Sequence, residues 1–338
     1  MKKLVALTLA LMLALCACVA NAEETTDDRK EIVMGALTLL NMSEEDYFTL
    51  QKGKIAALRY LAEQGAYHSQ KDVSSMPEDG RVIFYDTLNA MLMALEAGDI
   101  SSAEVPQCTA DYLCAHNDKL MARGSYDLEG ADDFTKAVAY RIGVGFSFMT
   151  TEDKAALRDE IDQALAEMKD DGTLDALIQA YITDAVNGIP EPVAFTQTDG
   201  ESVKVAVTGA LPPLDYVAAD GTPAGFNTAI LAELSVRLNK NFEPVVVDSV
   251  GRATALASGQ VDLVFWTNGT DGRDKGGRQT EEEHTEYKNN VFSDSQRELM
   301  TSIGGGVGYG KSQIKDIPDS TITTQPYFSD FLIAVAMK

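Results

Sequence analysis

Two stretches with the same order of features decide the fold: Thr87-Leu-Asn-Ala-Met-Leu-Met-Ala-Leu-Glu-Ala-Gly-Asp-Ile-Ser-Ser-Ala-Glu-Val105 and Arg252-Ala-Thr-Ala-Leu-Ala-Ser-Gly-Gln-Val-Asp-Leu-Val-Phe-Trp266. Each begins as a short apolar helix, stops at a glycine (Gly98 or Gly259) and continues as a strand. Glycine is common just beyond a helix end because that position favours φ > 0. The repeated unit predicts two related α/β lobes with a cleft between them, an arrangement suited to binding.

Length and composition describe a globular protein with an acidic surface. The 338 residues are enough for two lobes with cores of their own. An apolar content of 45% and a mean hydropathy of −0.11 are typical of soluble chains. The formal net charge of −24 argues against nucleic acid as a partner, because phosphates attract basic surfaces. We interpret the acidity as solubility outside the cell.

The first 22 residues have the pattern of an export signal. Two lysines precede the apolar run Leu4–Leu15, which is too short to span a membrane. Two processing sites compete: Ala20-Asn21-Ala22 is an A-x-A cleavage site, and Leu15-Cys16-Ala17-Cys18 resembles a lipobox in which Cys18 would be acylated. Both predict an exported protein, either a cell-surface lipoprotein or a secreted or periplasmic one.

The remaining cysteines, Cys108 and Cys114, leave two hypotheses open. They form a disulfide in oxidising surroundings, or they are two part-buried free thiols. Three scattered histidines, His68, His116 and His284, lack the spacing of metal ligands. The sequence therefore predicts neither a metal site nor a cofactor.

Apolar periodicity, caps and turn residues predict the other elements. We expect strands at 31–40, 81–85, 143–149, 203–208, 242–247 and 330–337. We expect helices at 41–64, 109–117, 150–172, 173–183 and 226–239. Residues 188–192, with two prolines, form a predicted linker, and 268–290 a long polar loop.

A set of motifs after this linker resembles one protein family. The motifs are Pro212-Pro213-x-x-Tyr216, Asp220-Gly221, Gly225-Phe226-Asn227, Ala255–Val264 and Thr323-Thr324-Gln325-Pro326-Tyr327. Residues 203–266 thereby resemble lobe one of the family 3 extracellular solute-binding proteins, the amino-acid receptors of ABC importers. The last motif is similar to the family's T-x-P-Y segment, which leads into a hinge strand.

The first half of the chain resembles the rest of the same family. The matching segments are Phe84–Gly98, Thr109–Leu113, Phe146–Met149 and Asp171–Leu174. The resemblance implies an α/β, periplasmic-binding-protein-like fold of two lobes with a central sheet in each, but lobe two precedes lobe one. Either the chain is circularly permuted or it is a tandem protein without its outer halves. We favour permutation because each lobe occurs once.

This interpretation divides the chain into four parts. They are a signal peptide (1–22), lobe two (23–148), helices and a linker that pack on lobe one (149–200), and lobe one (201–338).

The resemblance places candidate ligand-binding residues of lobe one along the cleft. Tyr216 and Trp266 would be aromatic walls, with core packing as the alternative for each. Thr267 and Asn268 follow Trp266 on the same strand end and would donate hydrogen bonds. Asp262, just before that strand, is interpreted as structural.

Two further residues of lobe one complete this set. Arg273, in Thr270-Asp-Gly-Arg273, has the spacing of the family's carboxylate-binding T-x-x-R segment, and its alternative is a solvated loop charge. Thr324 belongs to the segment that is similar to T-x-P-Y.

Lobe two departs from the family pattern. The amine-binding aspartate would fall near Pro106 and Gln107, where no acid stands. The sequence therefore does not favour an ordinary α-amino acid as the ligand. Gln107 and the helix start at Thr38, Asn41 and Ser43 would instead offer neutral polar contacts.

One segment also matches the pattern of a nucleotide-binding motif. Gly305-Gly-Val-Gly-Tyr-Gly-Lys-Ser312 fits the Walker A pattern. The segment between Ser312 and Pro318 is too short for the helix that this motif requires. We therefore interpret these residues as a flexible loop or a lid over the cleft.

The predicted function is that of an extracytoplasmic receptor, not an enzyme. It would capture a small polar, amino-acid-like solute and deliver it to the membrane subunits of an ABC importer, meeting the membrane itself only through a lipid anchor. The alternative is a ligand-free sensory or scaffold module. An enzyme of the same fold is less favoured, because neither histidine nor paired carboxylates stand at a convincing cleft position.

Overall fold

The computed structural model describes residues 33–38, 44–70, 81–188, 190–197, 199–269, 293–303 and 320–338. Within these ranges the strands are β1 (Val33–Leu37), β2 (Tyr67–Ser69), β3 (Arg81–Tyr85), β4 (Ser102–Pro106), β5 (Leu120–Ala122), β6 (Gly124–Tyr126), β7 (Gly143–Thr151), β8 (Ser202–Val207), β9 (Ala210–Leu211), β10 (Asp215–Val217), β11 (Pro223–Ala224), β12 (Asn241–Val246), β13 (Leu263–Gly269), β14 (Thr321–Thr323) and β15 (Phe328–Met337).

The helices of the same ranges are α1 (Glu44–Glu63), α2 (Leu88–Ala97), α3 (Gln107–His116), α4 (Asp133–Arg141), α5 (Ala155–Asp170), α6 (Thr173–Ile178), α7 (Phe226–Leu238), α8 (Gly251–Ala257) and α9 (Asp294–Ser302). Short 3-10 turns occupy Glu152–Lys154 and Asp184–Val186, and a single π turn occupies Gln179–Thr183. No helix of the described residues is long and apolar enough to cross a membrane.

A ten-stranded sheet organises both lobes. Its order is β12-β8-β13-β7-β15-β4-β1-β3, with β14 beside β7 and β5 beside β15. Lobe one contributes the parallel strands β12, β8 and β13, and lobe two contributes the parallel strands β3, β1 and β4. In each trio the strand that comes first along the chain lies in the middle. The two lobes therefore share one topology, as the repeated unit predicts.

Two long antiparallel strands join the lobe sheets. Phe328–Phe331 of β15 pair with β7, and Leu332–Val335 of the same strand pair with β4. On its other side β7 pairs with β13 of lobe one. The chain thus passes between the lobes through β7 and β15. The sheets that we predict for the separate lobes merge at this pair into one continuous sheet.

Aromatic side chains from β7, from β13 and from the residue before β15 fill the core beside this pair. The ring of Phe148 lies 5.1 Å from the rings of Phe265 and Tyr327. The buried Tyr327 hydroxyl donates to Oδ1 of Asn227 at 2.9 Å, so its polar end is satisfied. This packing fixes α7 and β13 against the strands that connect the lobes.

Helix ends follow the repeated sequence unit. Oγ1 of Thr87 accepts a hydrogen bond from the N–H of Ala90 and caps α2. Gly98 ends α2 at φ 81°, and its N–H donates to the carbonyl of Leu95. Gly259 follows α8 at φ 70°. Both predicted glycine stops are confirmed.

The predicted helix start at Thr150 is wrong. Strand β7 continues to Thr151, because Thr150 and Thr151 pair with Ile322 and Thr321 of β14. Instead of capping a helix, Oγ1 of Thr150 donates to the carbonyl of Asp262 at 2.7 Å. Helix α5 begins only at Ala155.

Other boundaries also differ from the predictions; helix α6, for example, ends at Ile178 and not at Thr183. Helix α3 begins at Gln107, directly after Pro106, and not at Thr109. Strand β15 begins at Phe328, two residues before the predicted start, because Phe328 already pairs with Phe146.

Helices α5 and α6 pack against α7 of lobe one. Nη2 of Arg237 lies 2.8 Å from the Asp171 carboxylate and 3.0 Å from the Thr173 hydroxyl, where one helix ends and the next begins. The chain then turns through residues 179–186 toward α3 of lobe two. Residues 149–187 therefore contact both lobes.

Candidate functional site

A cavity of about 650 Å³ lies between the two lobes. Lobe two lines it with the residues that follow β3 and with one side chain of α3, namely Thr87, Leu88, Asn89 and Tyr112. Lobe one lines it with Thr208, Gly209, Ala210, Pro212 and Tyr216–Ala219, and the linker adds Pro190, Glu191 and Pro192. The loops after β3 and β8 stand at the carboxyl ends of parallel strands, where α/β sheets bind ligands.

The wall from lobe two is the N-terminus of α2. Because Thr87 caps the N–H of Ala90, the first-turn N–H groups of Leu88 and Asn89 remain outside the helical hydrogen-bond pattern. The first turn carries no acidic residue. The helix dipole therefore gives this wall a positive partial charge and two polar donors.

The wall from lobe one is a loop organised by Asp215. The buried Asp215 carboxylate accepts hydrogen bonds from the Thr208 N–H (2.8 Å), the Thr208 hydroxyl (2.7 Å) and the Gly209 N–H (3.1 Å). Gly209 has φ 64°, and a Cβ there would lie 2.6 Å from Cγ2 of Val217. Only glycine fits this turn without strain.

Arg252 lies fully buried behind this wall. Nε donates to the carbonyl of Ser249 (2.9 Å) and Nη1 to the carbonyl of Phe265 (2.8 Å). The guanidinium carbon lies 4.9 Å from the centre of the Trp266 ring. Burial lowers the pKa of Arg252 to about 9, and the Asp215 carboxylate opposes that shift. The two opposite charges thus stabilise each other beneath the cavity.

Tyr216 joins the linker to lobe one. Its hydroxyl donates to the carbonyl of Pro190 at 2.8 Å. Burial raises the pKa of Tyr216, and Tyr112, Tyr181 and the Glu191 carboxylate raise it further. All these effects favour the neutral form of the Tyr216 hydroxyl. The linker is the third wall of the cavity.

A direct hydrogen bond also joins the lobes. The hydroxyl of the buried Ser249 in lobe one donates to the carbonyl of Asp86 in lobe two at 3.0 Å. The Thr38 hydroxyl donates to Oδ1 of the same aspartate at 3.1 Å. Asp86 precedes the cap of α2, so this contact holds the wall of lobe two against lobe one.

Of the predicted site residues whose side chains the structure describes, Tyr216 alone lines the cavity. Trp266 and Thr267 are buried in β13. Oγ1 of Thr324 accepts from the N–H of Phe148, and Oε1 of Gln107 accepts from the N–H of Tyr126. Together with Thr38, these side chains lie where they support the lobes and not on the cavity wall.

Other predicted residues lie wholly or partly outside the description. The backbone of Asn268 in β13 pairs with Gly145 of β7. Cys18, Asn41, Ser43, Arg273, the signal peptide and the Walker-like segment 305–312 fall outside the described residues.

The cavity contains residues that sequence reasoning did not select, notably Asn89, Tyr112, Thr208 and Glu191. Asn89 and Thr208 follow predicted parallel strands, a position from which they could have been found. Glu191 gives no comparable signal, because its place depends on how the linker folds back. The sequence left open whether Cys108 and Cys114 form a disulfide. In the structure both are free thiols.

The described residues contain no group of three or more His, Cys, Asp or Glu side chains that could hold a metal ion.

Comparison with known structures gives distant likenesses to binding proteins. The ligand-binding component of an ABC-type import system from Staphylococcus aureus, solved with zinc, is 9% identical, with 90% of this chain and 65% of that one covered and a TM-score of 0.34. AgaA from A. tumefaciens R10, in complex with agropinic acid, is 14% identical over 78% of this chain and 56% of that one, with a TM-score of 0.35.

A phosphate-binding protein of a phosphate ABC transporter from Streptococcus pneumoniae is 9% identical over 91% and 90% of the two chains, with a TM-score of 0.30. The chain spans between about half and two thirds of the length of the first two structures. A comparison with curated protein sequences gives no match.

A family model gives the more specific result. Residues 203–300 match the model of bacterial extracellular solute-binding proteins, family 3. The matched segment includes β8, the Asp215 loop with Tyr216, and the repeated unit that ends at Trp266. Residues 203–300 are therefore similar to the bacterial extracellular solute-binding proteins of family 3.

Proposed function

We propose that this protein is a solute-binding receptor that captures a small polar solute in the cavity between its lobes. The cavity itself carries the proposal: about 650 Å³ of space, bounded by both lobes and the linker, lies at the carboxyl ends of the strands. This volume falls within the usual range of small-molecule sites. A ligand-free scaffold with side chains filling its cleft would lack such a space.

The walls suit an amino-acid-like solute in the proposed site. The first-turn N–H groups of Leu88 and Asn89 would receive a carboxylate or another electron-rich group. The side chains of Tyr112 and Tyr216, one from each lobe, would cover an apolar portion. Because both lobes would contact the solute, binding would favour the arrangement in which they are close together.

The proposal also includes the location of the receptor and its partner in the membrane. The related segment supports delivery of the solute to the membrane subunits of an ABC importer. The export signal supports a place outside the cytoplasm, with Cys18 as the lipid anchor or with release after Ala22.

We also propose that the chain is a circular permutant with lobe two (23–148) before lobe one (201–338), joined by helices and a linker (149–200). The strand register supports this hypothesis. Val335 near the end of β15 and Gly35 near the start of β1 are both paired with Ala103 of β4, on its opposite sides. The end of β15 and the start of β1 are therefore separated by two strand spacings, about 10 Å.

Thermal unfolding of residues 23–338 with a panel of amino acids, oligopeptides, polyamines and sugars tests the receptor function. We expect one chemical class to raise the unfolding midpoint, since a ligand of the folded state stabilises it by about 2.7 kcal/mol at one hundred times its dissociation constant. Asn89→Leu, which removes a polar group from the exposed first turn of α2, should weaken that response. Asn117→Leu, outside the cavity lining, is the control. A cooperative transition that no solute moves would contradict the proposal.

A further inference from the structure

The two lobes contact each other at equivalent places of their shared topology. In lobe two, residues 86–87 connect β3 to α2, and in lobe one residues 247–250 connect β12 to α8. β3 and β12 are each the second strand of their parallel trio along the chain, and each lies at one side of that trio. The two connections are therefore equivalent in the two lobes, and a hydrogen bond joins them.

Each connection caps its own helix with one side chain. Oγ1 of Thr87 accepts from the N–H of Ala90 in α2, and the Asp248 carboxylate accepts from the N–H of Gly251, the first residue of α8. Because Asp248 caps α8, the neighbouring Ser249 hydroxyl can serve another partner. It crosses to lobe two and donates to the carbonyl of Asp86 at 3.0 Å.

Lobe two holds the accepting residue in place. The hydroxyl of Thr38, directly after β1, donates to Oδ1 of Asp86 at 3.1 Å. Ser249 is 2% exposed and Thr38 is 6% exposed, so both hydroxyls lie in the interior. Buried hydroxyls need hydrogen-bond partners, and Ser249 has its partner across the lobes only while the lobes are together.

The contact lies apart from the space for a solute. Thr38, Asp86 and Ser249 are not among the residues that line the cavity. At another part of the same wall, α3 of lobe two contacts the turn Asp184–Val186, whose Ala185 is fully buried. The lobes are therefore held together by contacts between protein groups, none of which requires a solute.

We propose that Ser249, Asp86 and Thr38 form a latch that holds the lobes together before any solute binds. This inference goes beyond the receptor function, because closure comes from the protein itself. A solute then meets a cavity that is already formed, and its apparent affinity is not reduced by a low population of closed lobes.

The latch is also weak enough to open. It consists of hydrogen bonds from two neutral hydroxyls, and one such bond changes an equilibrium by about twofold to tenfold. When the lobes separate, water replaces the partner of the Ser249 hydroxyl and of the Asp86 carbonyl. Opening to admit a solute is therefore a reversible event of low cost.

The distance between spin labels on the two lobes tests the latch in solute-free protein. Labels on Glu96→Cys in α2 and Val236→Cys in α7, both at exposed positions, report the separation of the lobes in residues 23–338. The background carries Cys114→Ala. Cys108 is retained, because burial raises the pKa of its thiol and keeps it unreactive. Pulsed electron paramagnetic resonance should give a single distance population.

Ser249→Ala removes the hydroxyl of the latch and leaves the cavity lining unchanged. We expect a second population at longer distance, because the ratio of closed to open lobes falls about twofold to tenfold. Ser258→Ala is the matched control. Its Oγ donates to the carbonyl of Ala255 within the same lobe at 3.2 Å, so its loss should leave the single population unchanged. One cooperative unfolding transition in each variant verifies that the fold is intact.

The possible results separate this inference from the receptor function, because the measurement uses no solute. If Ser249→Ala has the same distances as the protein with Ser249, or if the longer distance already dominates in that protein, the latch is wrong while the receptor function stands. If the latch is confirmed but no solute of the panel raises the unfolding midpoint, the receptor function fails alone.

Discussion

At the scale of single residues, two buried charged side chains support the loop beside the cavity. Asp215 is 2% exposed and Arg252 is fully buried, yet each has several hydrogen-bond partners. The three donors of Thr208 and Gly209 stabilise the buried Asp215 carboxylate in this medium of low polarity. These hydrogen bonds explain how a loop rich in small residues keeps one conformation beside an open space.

Asp330, on strand β15 that joins the lobes, is a second buried acid. Burial outweighs hydrogen bonding in setting its pKa. Burial raises its pKa to about 6, although the Cys108 N–H, which donates to Oδ2 at 2.9 Å, opposes the shift. Oδ1 accepts from the Phe331 N–H at 2.8 Å. Cys108 and Tyr126 face it in uncharged forms, since burial also raises the pKa of each, and Asp111 adds a nearby negative charge.

This shift predicts a pH dependence of stability. Because the folded state holds the proton more tightly than the unfolded state, the contribution of Asp330 to stability falls as pH rises from about 4 to 6. The total change is about 3 kcal/mol for a shift of roughly two pKa units. Asp330→Asn keeps an acceptor for the Cys108 N–H but does not titrate.

Urea unfolding at a series of pH values tests the prediction. The variant should gain stability relative to the wild type between pH 4 and 6, and the difference should level off above pH 7. A difference between the two proteins that is the same at every pH would show that Asp330 does not titrate in this range.

At the scale of elements, the glycine stop of α2 gives a local test of the repeated unit. Gly98 has φ 81° and open space around its Cα, so an added Cβ would meet no atom within 4 Å. Gly98→Ala should therefore destabilise the protein by about 1 kcal/mol through backbone strain alone. Equilibrium unfolding in denaturant measures this loss.

Gly188→Ala is the matched control for this prediction. Its Cβ would also meet nothing within 4 Å, but its φ is not positive. The control should stay within about 0.5 kcal/mol of the wild type, as surface substitutions usually do. Equal losses in both variants would contradict the strain argument.

Elements that depend on local sequence could be predicted, and those that depend on distant pairing could not. Arg81–Tyr85 is a strand with the predicted bounds, and Gly98 ends its helix as expected. Thr150 and Thr151 have the local pattern of a helix cap, but pairing with β14, about 170 residues away, keeps them in a strand. Long-range pairing outweighs a capping preference of about 1 kcal/mol.

In the site too, features set by local sequence could be predicted and features set by distant contacts could not. The family resemblance singles out Tyr216, whose place at the cavity follows from the local geometry of β10 and the Asp215 loop. The indole of Trp266 stands against Arg252, an arrangement set by a helix that packs across the strand. Glu191 lines the cavity next to Pro190, whose carbonyl accepts from the Tyr216 hydroxyl, and neither composition nor periodicity encodes that contact.

At the scale of the whole molecule, the sheet is compatible with the proposed circular permutation. The order of strands in space does not depend on where the chain is opened, provided that the new ends fall outside the paired strands. β15 runs antiparallel to β4 and β1 runs parallel to it, so the end of the first and the start of the second lie at the same edge.

This geometry predicts that the chain can be reclosed and opened elsewhere. Joining Lys338 to Val33 needs only a short flexible linker of about six residues, since the gap across β4 is about 10 Å. The new ends would be placed between Gln197 and Thr198, in the segment between the lobes. We expect one cooperative unfolding transition in circular dichroism, because every strand pairing of the ten-stranded sheet is retained.

A second permutant, with the same joining linker but opened between Ser147 and Phe148, cuts the centre of β7. This strand pairs with β13, β14 and β15, so we expect that opening to abolish cooperative folding. If the first permutant fails to fold while the wild type is stable, the ends of β15 and β1 are not joinable and the permutation hypothesis loses its structural support. If it folds and also retains the ligand response, the cavity requires both lobes but not an unbroken linker between them.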